Sequence, residues 1–159
     1  MTKSRVTHRR RSGPSAAKPV VPMACYIESS ALVAALLEGD AAAKASIRKT
    51  TKRIASALTI AESKRAIIRA HAAGRLSQEQ ERAAMRELQV FARRCDIVSV
   101  TDAVLACVGR RFPVEPVRTV DAIHLATAEA LDESPDLITI VTRDVRVREN
   151  AIALGHPVE

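Results

Sequence analysis

Aromatic residues are almost missing from this 159-residue chain: tryptophan is absent, and one tyrosine and two phenylalanines are the whole complement. Base-stacking platforms and aromatic cages need several exposed rings, so neither is expected, and contact with a nucleic acid would be largely electrostatic. Cysteine is scarce too. Cys25, Cys95 and Cys107 stand singly inside apolar patterns without the paired spacing of a zinc site, which predicts small buried hydrophobes in a reducing compartment. No stretch approaches the roughly 18 apolar residues of a membrane span. The basic N-terminus is not followed by the apolar run of a secretory signal, so the expected location is the cytoplasm, with no membrane contact.

The formal charge of +7 is unevenly spread. Residues 1–22 hold six Lys/Arg and no acid, leaving the remainder almost neutral. That segment also carries Pro14, Pro19 and Pro22 among Ser, Lys and Arg, and is expected to be a disordered basic extension, because it cannot bury enough surface to offset its ordering entropy. Residues 23–159 are then one domain. Within it, "KASIRKTTKR" (Lys44, Arg48, Lys49, Lys52, Arg53) is a run of one sign, by default a solvated face and, if it borders a site, a track for phosphates.

The body alternates short apolar strands with helical patterns. Ala24–Ile27 reads as a strand, followed by a helix over 30–37 that a serine caps and Gly39 closes. Ala41–Lys49 reads as a second helix, 54–57 as a strand, and 59–73 as a helix ended by Gly74. "SQEQERAAMRELQVFARRC" predicts an amphipathic helix opened by a capping box between Ser77 and Gln80. Cys95–Val100 and Leu137–Thr142 read as further strands. Helices capped by Thr101, Thr119 and Asp144 complete the pattern, the first running to about Arg111. Strands alternating with helices predict an α/β fold, a central parallel sheet with helices on both faces.

Four acids stand after strands or in first helical turns: Glu28, Glu62, Asp121 and Asp144. Each has a structural reading. Glu62 completes a capping box with Thr59, Asp121 favours a helix dipole, and Asp144 is an N-cap. Together they have another, since in a parallel sheet all four can face one crevice at the carboxyl ends of the strands. Clustered carboxylates repel unless a cation compensates them, and oxygen-only ligands with no His or Cys partner suit Mg²⁺ or Mn²⁺ rather than zinc.

"YIESSALVAALL", "TIAESKRAI", "RTVDAIHLATA" and "IVTRDVRVRENAIALG" resemble, in order and spacing, the four motifs of PIN-domain ribonucleases of the VapC toxin type. The resemblance implies a PIN-like three-layer sandwich in which Glu28, Glu62, Asp121 and Asp144 bind the metal and act in catalysis, supported by Ser30 and Thr142. It also implies Mg²⁺- or Mn²⁺-dependent cleavage of single-stranded regions of RNA, a homodimer, and silencing by a cognate antitoxin, for which "LVAALLEGDAAAKASI" is a candidate groove. His124 is then a partner within its motif helix rather than a ligand. Lys44, Arg48, Lys49, Lys52 and Arg53 are the RNA-binding candidates.

At position 28 the family usually has aspartate. Glutamate keeps the charge but moves it about 1.5 Å farther from the backbone if extended, and Mg²⁺ geometry is exacting. The alternative reading is therefore a weakened or inactive PIN domain that serves as an antitoxin- or RNA-binding module.

Overall fold

Side chains of β1 (Ala24–Ile27) alternate between two layers. Cys25 and Ile27 face a core built with α1 (Ser29–Leu37), α2 (Ala41–Lys49), α3 (Ala57–Ala72) and α4 (Gln78–Arg93). Ala24 and Tyr26 face the other core, closed by α6 (Thr119–Glu129) and α7 (Val145–Ala153) with α5 (Asp102–Val108) beside α6. All four residues of β1 are buried, as a central strand covered on both faces must be. The computed structural model describes residues 22–159; the expected extension over 1–22 lies almost wholly outside them.

The sheet is parallel throughout, in the order β3 (Asp96–Val98), β2 (Lys52–Ser56), β1, β4 (Ile138–Val141). The chain thus leaves β1 for opposite sides, and a crevice opens where the order reverses, outside the carboxyl ends of β1 and β4. Ile27 pairs with Val141, so Glu28 and Thr142 emerge side by side. Alanine makes the layers thin. Ala31, Ala34 and Ala35 are buried on α1, which brings that helix close to the strands whose ends it must meet. Past α7, Gly155 at φ +95° turns the chain back, and Val158 bridges to Ile140 in parallel.

Several local expectations shift. The carboxylate of Glu28, not a serine, caps α1, accepting from the Ser30 N–H. β2 starts at Lys52 and Ser56 caps α3, its hydroxyl accepting from the Leu58 N–H; Thr59 therefore lies inside the helix, where its hydroxyl donates to the Ile27 carbonyl. The Thr59–Glu62 capping box does not form. α6 begins with Thr119 itself after an Arg118 N-cap that makes no side-chain bond, as a guanidinium has no acceptor to offer the first N–H groups. α5 stops at Val108, and β3 keeps only three residues as an edge strand. Cys25 is buried and Cys95 half-buried, but Cys107 is exposed on the outer face of α5, against expectation. The Ser77–Gln80 capping box is present in both directions.

Candidate metal centre

Glu28 is 3% exposed and turned back on its own helix. Its Oε2 accepts from the Ser30 N–H at 3.0 Å, from the Ser30 hydroxyl and from the Thr142 hydroxyl at 2.9 Å. Oε1 accepts from the Ser29 hydroxyl at 2.7 Å. Folding back absorbs the extra methylene, and four donors take the place of the water lost on burial. The Ser30 hydroxyl oxygen also accepts from the N–H groups of Arg143 (2.8 Å) and Asp144 (3.1 Å). The Thr142 hydroxyl accepts from Asp144 N–H at 3.0 Å. Two hydroxyls therefore tie the turn after β4 to the turn after β1.

Glu62 meets a residue from the opposite layer. Its Oε2 lies 2.7 Å from His124 Nε2, whose ring is 1% exposed. A carboxylate only accepts, so Nε2 carries a proton, and in the neutral ring Nδ1 is the acceptor for the Tyr26 hydroxyl at 3.0 Å. Burial, then the nearby charge of Glu28, raises the Tyr26 pKa and keeps that hydroxyl a donor. For Glu62, burial pushes the carboxyl up, but the hydrogen bond from His124, with help from Ser29 and Arg69, outweighs it and holds the group below its usual range. His124 Nε2 also lies 3.8 Å from Glu28 Oε1.

Asp121 sits one turn before His124 on α6, 8% exposed, with one carboxylate oxygen lacking any partner. Burial, followed by the negative charges of Asp144 and Glu28, raises its pKa, as the Arg118 charge offsets these only in part. Asp144 is the N-cap of α7, accepting from the N–H groups of Arg146 (2.8 Å) and Val147 (3.1 Å). Of the four expected acids, the structure brings Glu28 and Glu62 together with His124, which was not expected as a ligand, their ligand atoms lying within 4.8 Å of one another. Asp121 and Asp144 lie outside that group, and Asp121 is linked to it through charge, since Asp144 and Glu28 both raise its pKa. An oxygen-rich donor set with one buried, unpartnered carboxylate oxygen fits a hard divalent cation.

The basic run leads away from this crevice. Asp40 caps α2 beside the site, Lys44 follows one turn later, and Arg53 pairs in register with Cys25, about 7 Å from the end of β1. Lys49 pairs with Glu159, and Lys52 lies 3.9 Å from Glu133. Lys44, Arg48 and Arg53 instead join Arg86 and Arg94 of the α4 side around a groove of about 590 Å³, floored by apolar residues including Leu32, Leu36 and Phe91. The segment read as a candidate groove therefore serves both as core and as groove wall.

The match to the PIN-domain family model runs over residues 25–153 and takes in all four acids. The chain belongs to the PIN-domain family. Two relatives from Mycobacterium tuberculosis are Ribonuclease VapC46, 36% identical over 83% of this chain and 93% of its own, and Ribonuclease VapC35, 35% identical over 82% and 91%. Among solved structures, that of FitAB bound to an IR36 DNA fragment superposes with a TM-score of 0.61, at 18% identity, over 85% of this chain and 93% of that one. That of VapBC-1 from nontypeable Haemophilus influenzae gives 0.53, at 14% identity, over 86% and 97%. Both share the PIN fold seen here. No helix among the described residues is long and apolar enough to cross a membrane.

Sequence reasoning did not see that His124 joins Glu62 to Tyr26. The signal was faint: His124 is three residues after Asp121, hence on the same helix face. Ser29, which also donates to Glu28, is not among the site residues the sequence singled out.

Proposed function

We propose that this PIN domain, residues 23–159, is a divalent-metal-dependent endoribonuclease of the VapC toxin type, acting in the cytoplasm on single-stranded regions of RNA and silenced by an antitoxin protein. The observation that carries the reading is Asp121: a buried carboxylate with a free oxygen, facing two further acids, is costly to fold without a cation. The names of the M. tuberculosis relatives, both ribonucleases, support the same activity.

Glu28, Glu62, Asp121 and Asp144 would hold Mg²⁺ or Mn²⁺. Bound there, the cation supplies Lewis acidity that makes water a nucleophile near neutral pH and offsets charge on the phosphodiester. Ser30 and Thr142 keep Glu28 turned to the crevice and hold the Asp144 backbone in place. His124 aims Glu62. The hydroxyls nearest the acids are already committed to Glu28, which leaves water as the attacking group. Lys44, Arg48, Lys49, Lys52 and Arg53 offer RNA phosphates a strip that begins at the rim of the site.

The antitoxin reading rests on the groove, whose apolar floor and five cations suit an acidic, amphipathic segment. A segment lying there covers part of the RNA strip. Association into a homodimer, and with the antitoxin into a hetero-oligomer, belongs to the same reading; Val145 and Ile152, exposed on one face of α7, offer apolar surface for it. The alternative of a binding module without catalysis is not favoured, because the longer Glu28 side chain still delivers its carboxylate to the cluster.

The test is the cleavage rate of antitoxin-free protein on a single-stranded RNA in Mg²⁺ and then Mn²⁺, beside Asp121→Asn. Cleavage that needs metal and is lost in Asp121→Asn supports the assignment. Equal, metal-independent rates in both proteins would overturn it.

A further inference from the structure

Arg143 stands between Thr142 and Asp144, on the turn that closes the acidic crevice, yet its guanidinium points elsewhere. Nε donates to Asp40 Oδ2 at 2.7 Å, and Nη1 to the Thr142 carbonyl at 3.3 Å. The arginine whose charge acts on Asp121 is Arg118 rather than Arg143. Asp40 uses its two oxygens for different tasks. Oδ1 caps α2 through the Ala43 N–H at 2.9 Å, while Oδ2 takes Arg143. The Arg143 hydrogen bond, and next the Ala43 N–H, lower the Asp40 pKa to about 2, so the pair is ionised throughout the physiological range.

The side chain of Arg143 is not needed to hold the turn. The backbone N–H groups of Arg143 and Asp144 are already bonded by the Ser30 and Thr142 hydroxyls. A half-exposed ion pair of this kind adds little to stability. What it decides is where a positive charge rests. The guanidinium is flanked in sequence by Asp144, on a turn hydrogen-bonded to Glu28 through Thr142 and Ser30, so the turn that carries it borders the carboxylate cluster. Arginine and carboxylate form strong two-pronged bonds, and such a bond would occupy the oxygens a cation needs.

We propose that Asp40 is a positioning residue that holds Arg143 away from the carboxylate cluster and so keeps the cluster open to a divalent cation. The proposal rests on the metal-site reading above. Releasing Arg143 creates an internal competitor; removing Arg143 does not. Loss of Asp40 weakens metal binding whereas loss of Arg143 does not, an asymmetry that a merely structural ion pair would not produce, since either partner's loss then has the same effect.

The experiment is Mn²⁺ binding, followed by calorimetry and by the electron paramagnetic resonance signal of free Mn²⁺, on full-length protein without RNA. Unmodified chain, Asp40→Asn, Arg143→Ala and the double variant are compared. Asparagine caps a helix as well as aspartate, so α2 is preserved, and circular dichroism checks the fold of each variant. Asp40→Asn is expected to bind Mn²⁺ roughly tenfold more weakly. Arg143→Ala and the double variant are expected to stay within about twofold of the unmodified chain, so that the second substitution rescues the first. Equal binding by Asp40→Asn and the unmodified chain overturns the proposal, as does a double variant no better than Asp40→Asn. Failure of the unmodified chain to bind Mn²⁺ at all overturns the metal-site reading and the proposal with it.

Discussion

The hydroxyl of Tyr26 and Nδ1 of His124, ninety-eight positions apart, lie 3.0 Å from each other, and the far nitrogen of the same ring lies 2.7 Å from Glu62. A buried strand residue on one side of the sheet thereby sets the tautomer of a helix residue, which sets the direction of an acid from the other layer. Partners that orient metal-binding groups in this way are commonly worth 10- to 100-fold in affinity or activity.

Replacing His124 with alanine is accordingly expected to slow metal-dependent RNA cleavage by roughly 10- to 100-fold. Tyr26→Phe leaves the ring beside Glu62 but strands Nδ1 without a donor, at a cost of about 1–3 kcal/mol in stability. Its cleavage rate is expected to fall less than that of His124→Ala. Chemical denaturation and single-turnover cleavage on the same preparations separate the two effects. Identical rates for His124→Ala and the unmodified chain would remove His124 from the site.

Asp121 carries a raised pKa, which makes it a burden on the metal-free fold. The native state binds a proton at this carboxyl more readily than the unfolded chain, so stability is lost as pH rises through the unfolded value of about 4 toward the higher native one. Asp121→Asn is expected to be the more stable protein at pH 7 in EDTA, with the difference shrinking toward pH 4. Mn²⁺ at about 100 times its dissociation constant is expected to reverse the ranking by stabilising the unmodified chain by roughly 2.7 kcal/mol. Melting curves at two pH values, with and without metal, check both signs.

Glu28 combines a cap with a ligand position. Glu28→Ala loses the cap and is expected to destabilise the protein by about 0.5–2 kcal/mol. Glu28→Asp keeps the charge, is a favoured N-cap residue and restores the acid usual in the family. It is expected to retain stability within about 1 kcal/mol of the unmodified chain and to cleave RNA in Mg²⁺. Loss of cleavage in Glu28→Asp would mean that this site is built around the folded-back glutamate.

For the groove, reversing Arg86 to glutamate places a negative charge opposite the acidic segment assigned to the antitoxin, without touching the acids or the 44–53 run. Antitoxin binding is expected to weaken by roughly tenfold and to depend less on salt. RNA cleavage by the free protein is expected to be unchanged. Calorimetric titration at two ionic strengths and a cleavage assay make the check.

Much of the site was legible because it is local. Glu28 and Asp144 are helix N-caps and Asp121 sits in a first helical turn, and strand ends and caps depend on neighbours only a few residues away, which is why these positions and the Ser77–Gln80 box were readable from short stretches. Glu62 was misread as a capping partner for a local reason too. Thr59 looks like a cap in sequence, but the hydroxyl is drawn to the Ile27 carbonyl and Ser56 takes the cap.

The sequence by itself determined the parallel α/β sandwich, the acids it carries at one edge, and the charge of the strip leading from them, since these follow from hydrophobic period, helix caps and composition. Only the tertiary structure decided that Glu28 folds back under Ser29, Ser30 and Thr142, that His124 bridges Tyr26 to Glu62, and that Arg143 turns to Asp40. Each of these links depends on how α6 and the β4–α7 turn are set against β1 by packing around Leu125, Ile140 and Val147. A hydrogen bond reaches about 3 Å, so the rotation of a packed helix decides which of several polar neighbours it finds.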